Sequence, residues 1–276
     1  MRGFMSTIFI FCSCKKLNTF YRLLCEAMEI VPNDSALFRA SMEALREFLP
    51  QAQLRISQDG IRINGMDVSH VGFVEYFLSK ADCQVLKVPT PTVIGVNTTS
   101  LAKTLSSVSS GDRVTLGLKQ DRMIVSYTNE KMSKKAVYEI NTMDITEDAL
   151  NLPELTYGAT ISGKTTDIAQ IVKEVAHFGD AMKLRLDEDG FHVSADGDSG
   201  TVRQTLENTE DREMTLTEDA MEASFGTKYL TTIMKSGAPL SSTTKIEFDG
   251  TQPLRASFQF GKESRFVSYL APKIME

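Results

Sequence analysis

Two spacings of apolar residues recur along this chain. Strict alternation marks Leu54, Ile56, Ile61 and Ile63, and again Leu184, Leu186, Phe191 and Val193, so each set predicts a pair of half-buried strands. Asp59-Gly60 and Asp189-Gly190 stand between the runs and predict type I′ hairpin turns, whose two central residues both need positive φ. Helical spacing precedes each hairpin. Leu37, Met42, Leu45, Phe48 and Leu49 form one stripe over 36–49, with Asp34 or Ser35 as cap and Pro50 as stop. Ile168, Ile171, Val172 and Val175 do the same over 165–178, ending at Gly179. A second round follows in each half: a helix over 98–108 before a hairpin over 114–128, and a helix over 225–235 before a hairpin over 244–260 that turns at Asp249-Gly250. Strands over 135–140 and 265–270 close the halves, and 71–78 and 83–88 read as further strands.

The order of elements in the first half therefore returns in the second, offset by about 130 residues. The expected fold class is α+β: two similar domains, each with two helices packed on antiparallel sheets. Residues 141–154 are polar and acidic until Leu150, Leu152 and Pro153, and read as a connector. The division is then 1–22 as an extension without regular order, 23–140 as the first domain, 141–154 as the connector and 155–276 as the second domain. Residues 4–11 are apolar but broken by Ser6 and Thr7 and followed by Lys15-Lys16, which argues against a signal peptide and for an extension or a start placed too far upstream.

Composition narrows the function. The 276 residues are 42% hydrophobic, which excludes a disordered chain, and no apolar run reaches the about 18–20 residues of a membrane span. Net charge is −6, so any contact with nucleic acid must come from a local basic face. Cys12, Cys14, Cys25 and Cys83 form no C-x-x-C pair, and His70, His177 and His192 have no ligand-spaced partner, so neither zinc nor a disulfide framework is expected.

Four segments carry a resemblance: Asn64-Gly65-Met66-Asp67-Val68-Ser69-His70-Val71, His177-Phe178-Gly179-Asp180, Pro239-Leu240-Ser241-Ser242-Thr243, and the terminal Tyr269-Leu270-Ala271-Pro272-Lys273-Ile274. With the internal duplication, they resemble the eukaryotic-type DNA sliding clamps, the proliferating cell nuclear antigen family, from about Cys25 to the C-terminus. The resemblance implies DNA-clamp domains in a ring-shaped homotrimer, helices lining a hole and duplex DNA encircled without sequence preference. It places subunit contact on strands 121–128 of one chain and 200–207 of the next, pairing two open sheet edges. It implies no catalysis and no cofactor. The implied partners are DNA polymerase, clamp loader, flap endonuclease and DNA ligase, each docking through a short peptide. The implied location is the nucleus, or a viral replication site if the chain is virus-encoded.

A DNA-lining role asks for basic helix faces in an acidic chain. Arg39, Arg46, Lys103, Lys164, Lys173, Lys228 and Lys235 lie on or beside the four helices, whereas Asp59, Asp187, Glu188, Asp189 and Asp249 lie in hairpin turns. Any one of these residues is commonly explained by a solvated helix surface; the set is what points to DNA. Ala40, Ser106 and Gln170 occupy positions where the family usually has Lys or Arg, which implies a less positive channel. Glu188 stands where the resemblance implies a modifiable lysine. The client pocket implied by the resemblance is Met66, His70, Leu150, Leu152, Pro253, Tyr269, Ala271 and Pro272, an adaptable apolar wall with one rigid aromatic edge.

Enzymatic readings have little to stand on. Gly158 and Gly163-Lys164-Thr165 match a phosphate-loop spacing, but the connector precedes them instead of a buried parallel strand. Asp144, Glu147 and Asp148 read as solvated linker. The competing function is a clamp-like scaffold that stays monomeric and binds clients without encircling DNA.

Overall fold

The computed structural model describes residues 28–109, 111–129, 131–146, 152–198 and 200–273. The proposed extension, Leu150 and Glu147-Asp148 lie outside them. The first half runs β1 (Glu29–Pro32), α1 (Ser35–Phe48), β2 (Gln51–Ser57), β3 (Gly60–Met66), β4 (Gly72–Ser79), β5 (Cys83–Lys87), β6 (Thr92–Asn97), α2 (Thr98–Leu105), β7 (Arg113–Lys119), β8 (Arg122–Asn129) and β9 (Lys134–Asn141). The second repeats the succession as β10 (Ala159–Lys164), α3 (Thr165–Val175), β11 (Ala181–Asp187), β12 (Gly190–Gly197), β13 (Gly200–Leu206), β14 (Glu213–Leu216), β15 (Ala220–Gly226), α4 (Thr227–Gly237), β16 (Thr243–Phe248), β17 (Leu254–Phe260) and β18 (Ser264–Leu270).

Helix boundaries follow local chemistry. The Asp34 carboxylate accepts the Leu37 N–H at 2.9 Å and starts α1; Asn97 does the same for Ser100 at 2.7 Å and starts α2. α2, α3 and α4 depart from the periodicity by two or three residues. Beyond α2 and α3 the chain tightens into single turns, with Val108 N bonded to Leu105 O and Phe178 N to Val175 O. Phe225 and Gly226 complete β15, so α4 begins at Thr227.

The strands form three sheets, ordered β5-β1-β7-β8-β9, β14-β10-β16-β17-β18-β4-β3-β2-β6 and β13-β12-β11-β15. Every ladder in them is antiparallel. The nine-stranded sheet crosses from one half to the other through β4 and β18, which pair from Arg265 opposite Phe77 to Leu270 opposite Gly72. α1 packs against α2 in its own half and α4 in the other, and α4 against α3, so the helices form one continuous layer over the core.

The Asp-Gly turns differ from expectation. Ser57 pairs with Gly60 and Asp187 with Gly190, so Gln58-Asp59 and Glu188-Asp189 are the central residues, and positive φ falls on Gly60 and Gly190 alone. Glycine is needed for space as well. A Cβ at Gly60 would collide with the Leu78 carbonyl, and one at Gly190 would come within 2.5 Å of the Leu206 carbonyl. The edge expected on 121–128 is not open either. That segment is β8, which lies between β7 and β9; the sheet ends in β9 on that side and in β5 on the other, while β13 is an open edge as expected.

Candidate nucleic-acid and partner interfaces

The helix layer divides the basic residues into two groups. Lys103, Lys173, Lys228 and Lys235 are exposed and make no direct ion pair among the described residues. The other three are engaged. Arg39 is half-buried and donates from Nη1 to the Val108 carbonyl at 2.8 Å, tying α1 to the end of α2. Arg46 lies 3.6 Å from Glu47, and Lys164 lies 2.9 Å from Asp211. Acidic groups lie on α1, as Glu43 and Glu47, and on α3, as Asp167 and Glu174, while α2 and α4 carry none. Positive potential is therefore concentrated on α2 and α4 and diluted on α1 and α3. Spacing places Arg39 and Arg46 off the apolar stripe of α1, but a bond from α1 to the end of α2 has no signature in spacing.

The sheet face opposite the helices carries the second surface. Val74, Ser268, Ala256 and Ile246 are cross-strand neighbours buried beneath the helix layer. One residue along, Met66 faces Phe73, Phe73 faces Tyr269, Tyr269 faces Arg255 and Arg255 faces Glu247, in a single row across five strands. The Phe73 and Tyr269 rings lie 5.9 Å apart. Pro253 and Ala271 continue the β17–β18 ladder by one position, and Ala271 N bonds to Val71 O at 3.0 Å. Leu152 is half-buried at the described end of the connector.

Of the expected pocket, Met66 and His70 also line a cleft of about 640 Å³ with Leu49, Ala52, Gln53, Arg55, Asn64 and Val68. The connector enters beside it. Met143 bridges to Gly95, and the Gln53 side chain donates to the Ile145 carbonyl at 2.5 Å. Asp67 shapes the loop that carries His70. Its carboxylate accepts the N–H groups of Gly72 at 2.6 Å, Val71 at 2.8 Å and Ser69 at 3.1 Å, and the Tyr229 hydroxyl of α4 at 3.3 Å. Burial alone would raise the Asp67 pKa; these donors outweigh it and hold the carboxyl below its ordinary value. His70 takes φ of 55° there.

Three residues of this face escaped the sequence reading. Val68 is the most exposed large hydrophobic among the described residues, at 80%. Arg255 is held bidentately by the buried Glu247 at 2.6 and 2.7 Å, and its guanidinium lies 5.0 Å from the Tyr157 ring. Burial pushes the Tyr157 phenol well above its usual range, and its hydroxyl has no hydrogen-bond partner among the described residues. The Asp67-Val68-Ser69 run was in view as a motif. Arg255 and Tyr157 meet only through the register of β17 and the exit of the connector.

Among the described residues no cluster of His, Cys, Asp and Glu could hold a metal ion, and no helix is long and apolar enough to cross a membrane. Lys164-Thr165 lies where an antiparallel strand meets a helix, with β10 between β14 and β16. The Walker-type reading needs a parallel strand there and fails on geometry.

Comparison with known proteins agrees with this arrangement. The model of the proliferating cell nuclear antigen N-terminal domain matches residues 27–150, and that of the C-terminal domain matches 151–274. A curated relative, the proliferating cell nuclear antigen of Chaetomium thermophilum, is 27% identical over 249 residues, covering 87% of this chain and 95% of the relative. The crystal structure of proliferating cellular nuclear antigen from Entamoeba histolytica shares the fold, with a TM-score of 0.84, 24% identity, and coverage of 91% of this chain and all of that one. The chain belongs to the proliferating cell nuclear antigen family, DNA sliding clamps that act as scaffolds without catalysis, encircling DNA and gathering replication and repair proteins.

Proposed function

We propose that three copies of this chain close into a ring by adding β9 of one copy to β13 of the next, with the helix layer turned towards duplex DNA. One observation carries the reading. β9 and β13 hold the same places in their halves as β18 and β4, which are already joined inside the chain, yet both end as open edges. Unpaired edges of this kind invite strand addition. Repeating the internal join at three boundaries makes a closed circle of six like domains: 23–140 and 155–276 from each chain, with 141–154 between them.

Arg39, Arg46, Lys103, Lys164, Lys173, Lys228 and Lys235 form the DNA-facing set, and the four exposed, unpaired lysines carry most of the phosphate attraction. Contacts confined to phosphates position a duplex without reading its sequence and leave it free to slide. Met66, His70, Leu150, Leu152, Pro253, Tyr269, Ala271 and Pro272, joined by Phe73, Tyr157 and Arg255, form the client groove. DNA polymerase, clamp loader, flap endonuclease and DNA ligase are the fitting clients, and the nucleus is the fitting location.

Mass photometry at micromolar concentration tests the ring. A trimer retained on circular DNA and lost from linear DNA is expected; a strict monomer overturns the reading in favour of a monomeric scaffold. For the groove, Leu150→Ala with Leu152→Ala is expected to abolish binding of a Gln-x-x-aliphatic-x-x-aromatic-aromatic peptide while the trimer persists. Unchanged affinity by calorimetry places the client site elsewhere.

A further inference from the structure

The chain contains a residue-level template for contact between two copies. Gly60 crowds the Leu78 carbonyl as Gly190 crowds that of Leu206, and Gly60 pairs with Ser79. Leu78 therefore corresponds to Leu206, and Ser79 to Glu207. In the equivalent hairpins Tyr127 faces Ala136 and Phe258 faces Phe266, so Lys134 corresponds to Ser264. Transferring the β4–β18 register to the open edges sets Lys135 opposite Thr205, Tyr138 opposite Val202 and Ile140 opposite Gly200 of a second copy.

Hydrogen bonds hold the internal join where the open edges carry charge. Ser79 N donates to Ser264 Oγ at 3.0 Å, and the Ser79 hydroxyl donates to Glu263 at 2.8 Å. Asp82 follows β4 in the turn Lys80–Asp82 and receives the Ser264 hydroxyl at 2.7 Å. At the open edges Glu207 stands for Ser79 and Lys134 for Ser264. The Lys80–Asp82 turn is replaced by the longer loop 207–212, which brings Glu207, Glu210 and Asp211. The β17–β18 turn is replaced by one that brings Lys131, Lys134 and Lys135, with Glu130 the single acid. All three lysines, Glu207 and Glu210 are exposed. Asp211 is paired with Lys164, and Arg212 is turned inward, 3.4 Å from Asp167 and donating to the Glu207 carbonyl at 2.5 Å. Glu207 and Glu210 are thus left exposed beside β13, and Lys131 and Lys135 beside β9, while the exposed Lys134 holds its Nζ 5.1 Å from the centre of the Tyr127 ring.

We propose that neighbouring copies are locked by an ionic clasp, Lys131, Lys134 and Lys135 of one copy against Glu207 and Glu210 of the next, which makes ring closure sensitive to salt. The clasp rests on the ring reading above. Mobile ions screen exposed pairs of this kind as the Debye length shortens, so the association weakens steeply between about 0.05 and 0.5 M salt.

Sedimentation equilibrium across that salt range is expected to show the trimer dissociation constant rising at least tenfold. Lys134→Glu with Lys135→Glu, and separately Glu207→Lys with Glu210→Lys, are expected to give folded monomers at low salt, with melting curves confirming the fold. The quadruple variant reverses both sides of every joint and is expected to restore the trimer, which a merely structural role for these side chains would not do. A trimer indifferent to salt and to the one-sided reversals overturns the clasp and leaves the ring standing, as does a folded quadruple variant that stays monomeric. A wild-type chain that is monomeric at every salt concentration removes the ring, and the clasp with it.

Discussion

The β4–β18 seam and the edges β9 and β13 are made of corresponding strands but are finished in different ways. The seam is closed at both ends by a buried carboxylate. Asp67 gathers the loop after β3 and receives Tyr229 from the other half. Asp82 accepts the N–H groups of Lys262 at 2.7 Å, and of Glu263 and Ser264 at 3.0 Å, besides the Ser264 hydroxyl. Aromatic rings fill the space between: Phe73 against Tyr269, Tyr76 against Phe260, and Phe48 against Phe266. The open edges have no such furniture. β9 exposes Val137 at 44% and Tyr138 at 38%, with Tyr138 stacked on Tyr127 at 6.0 Å, and lysines stand at its start. A charge buried with all its donors in place is costly to expose, which suits a contact made once during folding. Exposed charges and a modest apolar strip can part and rejoin.

The largest effect is expected at the seam. Asp82→Ala leaves four donors without their acceptor and is expected to cost about 3 kcal/mol of unfolding free energy, read from urea denaturation. An unaltered midpoint would mean the seam does not depend on this carboxylate. Acid probes the same feature. Burial pushes the Asp67 and Asp82 carboxyls up, but the hydrogen bonds they accept prevail and hold both below the ordinary 3.8. A depressed folded-state pKa stabilises the fold fully above the unfolded value and is lost as pH falls through the folded one. The melting temperature is therefore expected to hold from pH 7 to about 5 and to drop below about pH 4, less steeply in Asp82→Ala.

At the open edge the effect is on assembly. Tyr138→Ala removes the aromatic that the proposed joint sets opposite Val202 and is expected to raise the trimer dissociation constant about 100-fold while the monomer melts within a few degrees of wild type. Loss of the fold instead would make Tyr138 a core residue of its own half. The smallest structural effect is expected in the helix layer. Arg46→Glu, Lys103→Glu and Lys173→Glu together touch neither boundary, so trimer and melting temperature are expected to stay while processive synthesis falls about tenfold. A split ring in that variant would mean the helices are not the DNA-facing surface.

Much of this was legible in the residues because it is local. Alternation fixes which side of a strand is buried, so the hairpins around Asp59-Gly60 and Asp189-Gly190 could be read directly, and with them the duplication. What could not be read depends on which strand lies beside which. The resemblance implies subunit contact on 121–128, but β9 pairs along that strand and covers it. Arg39 sits off its helix's apolar stripe, yet its guanidinium is spent on the Val108 carbonyl, 69 residues away. Glu247 and Arg255 are ordinary strand charges until the register of β16 and β17 sets them face to face. The need for glycine at position 60 has a non-local part as well: the space for a Cβ there is taken by the Leu78 carbonyl of β4.

The continuity of the nine-stranded sheet through β4 and β18 also has a mechanical meaning. Backbone hydrogen bonds run unbroken from β14 to β6, and a pull on β9 or β13, which end the other two sheets, reaches that ladder through the shared packed core, so one chain behaves as a stiff arc. In the proposed circle, three stiff arcs stand in series with three compliant joints, and imposed strain collects in the joints. Opening then costs one joint, not a fraction of the whole circumference, and any of the three can yield. Such a ring gives way at discrete, equivalent places and recovers its shape afterwards, because the arcs store almost none of the deformation.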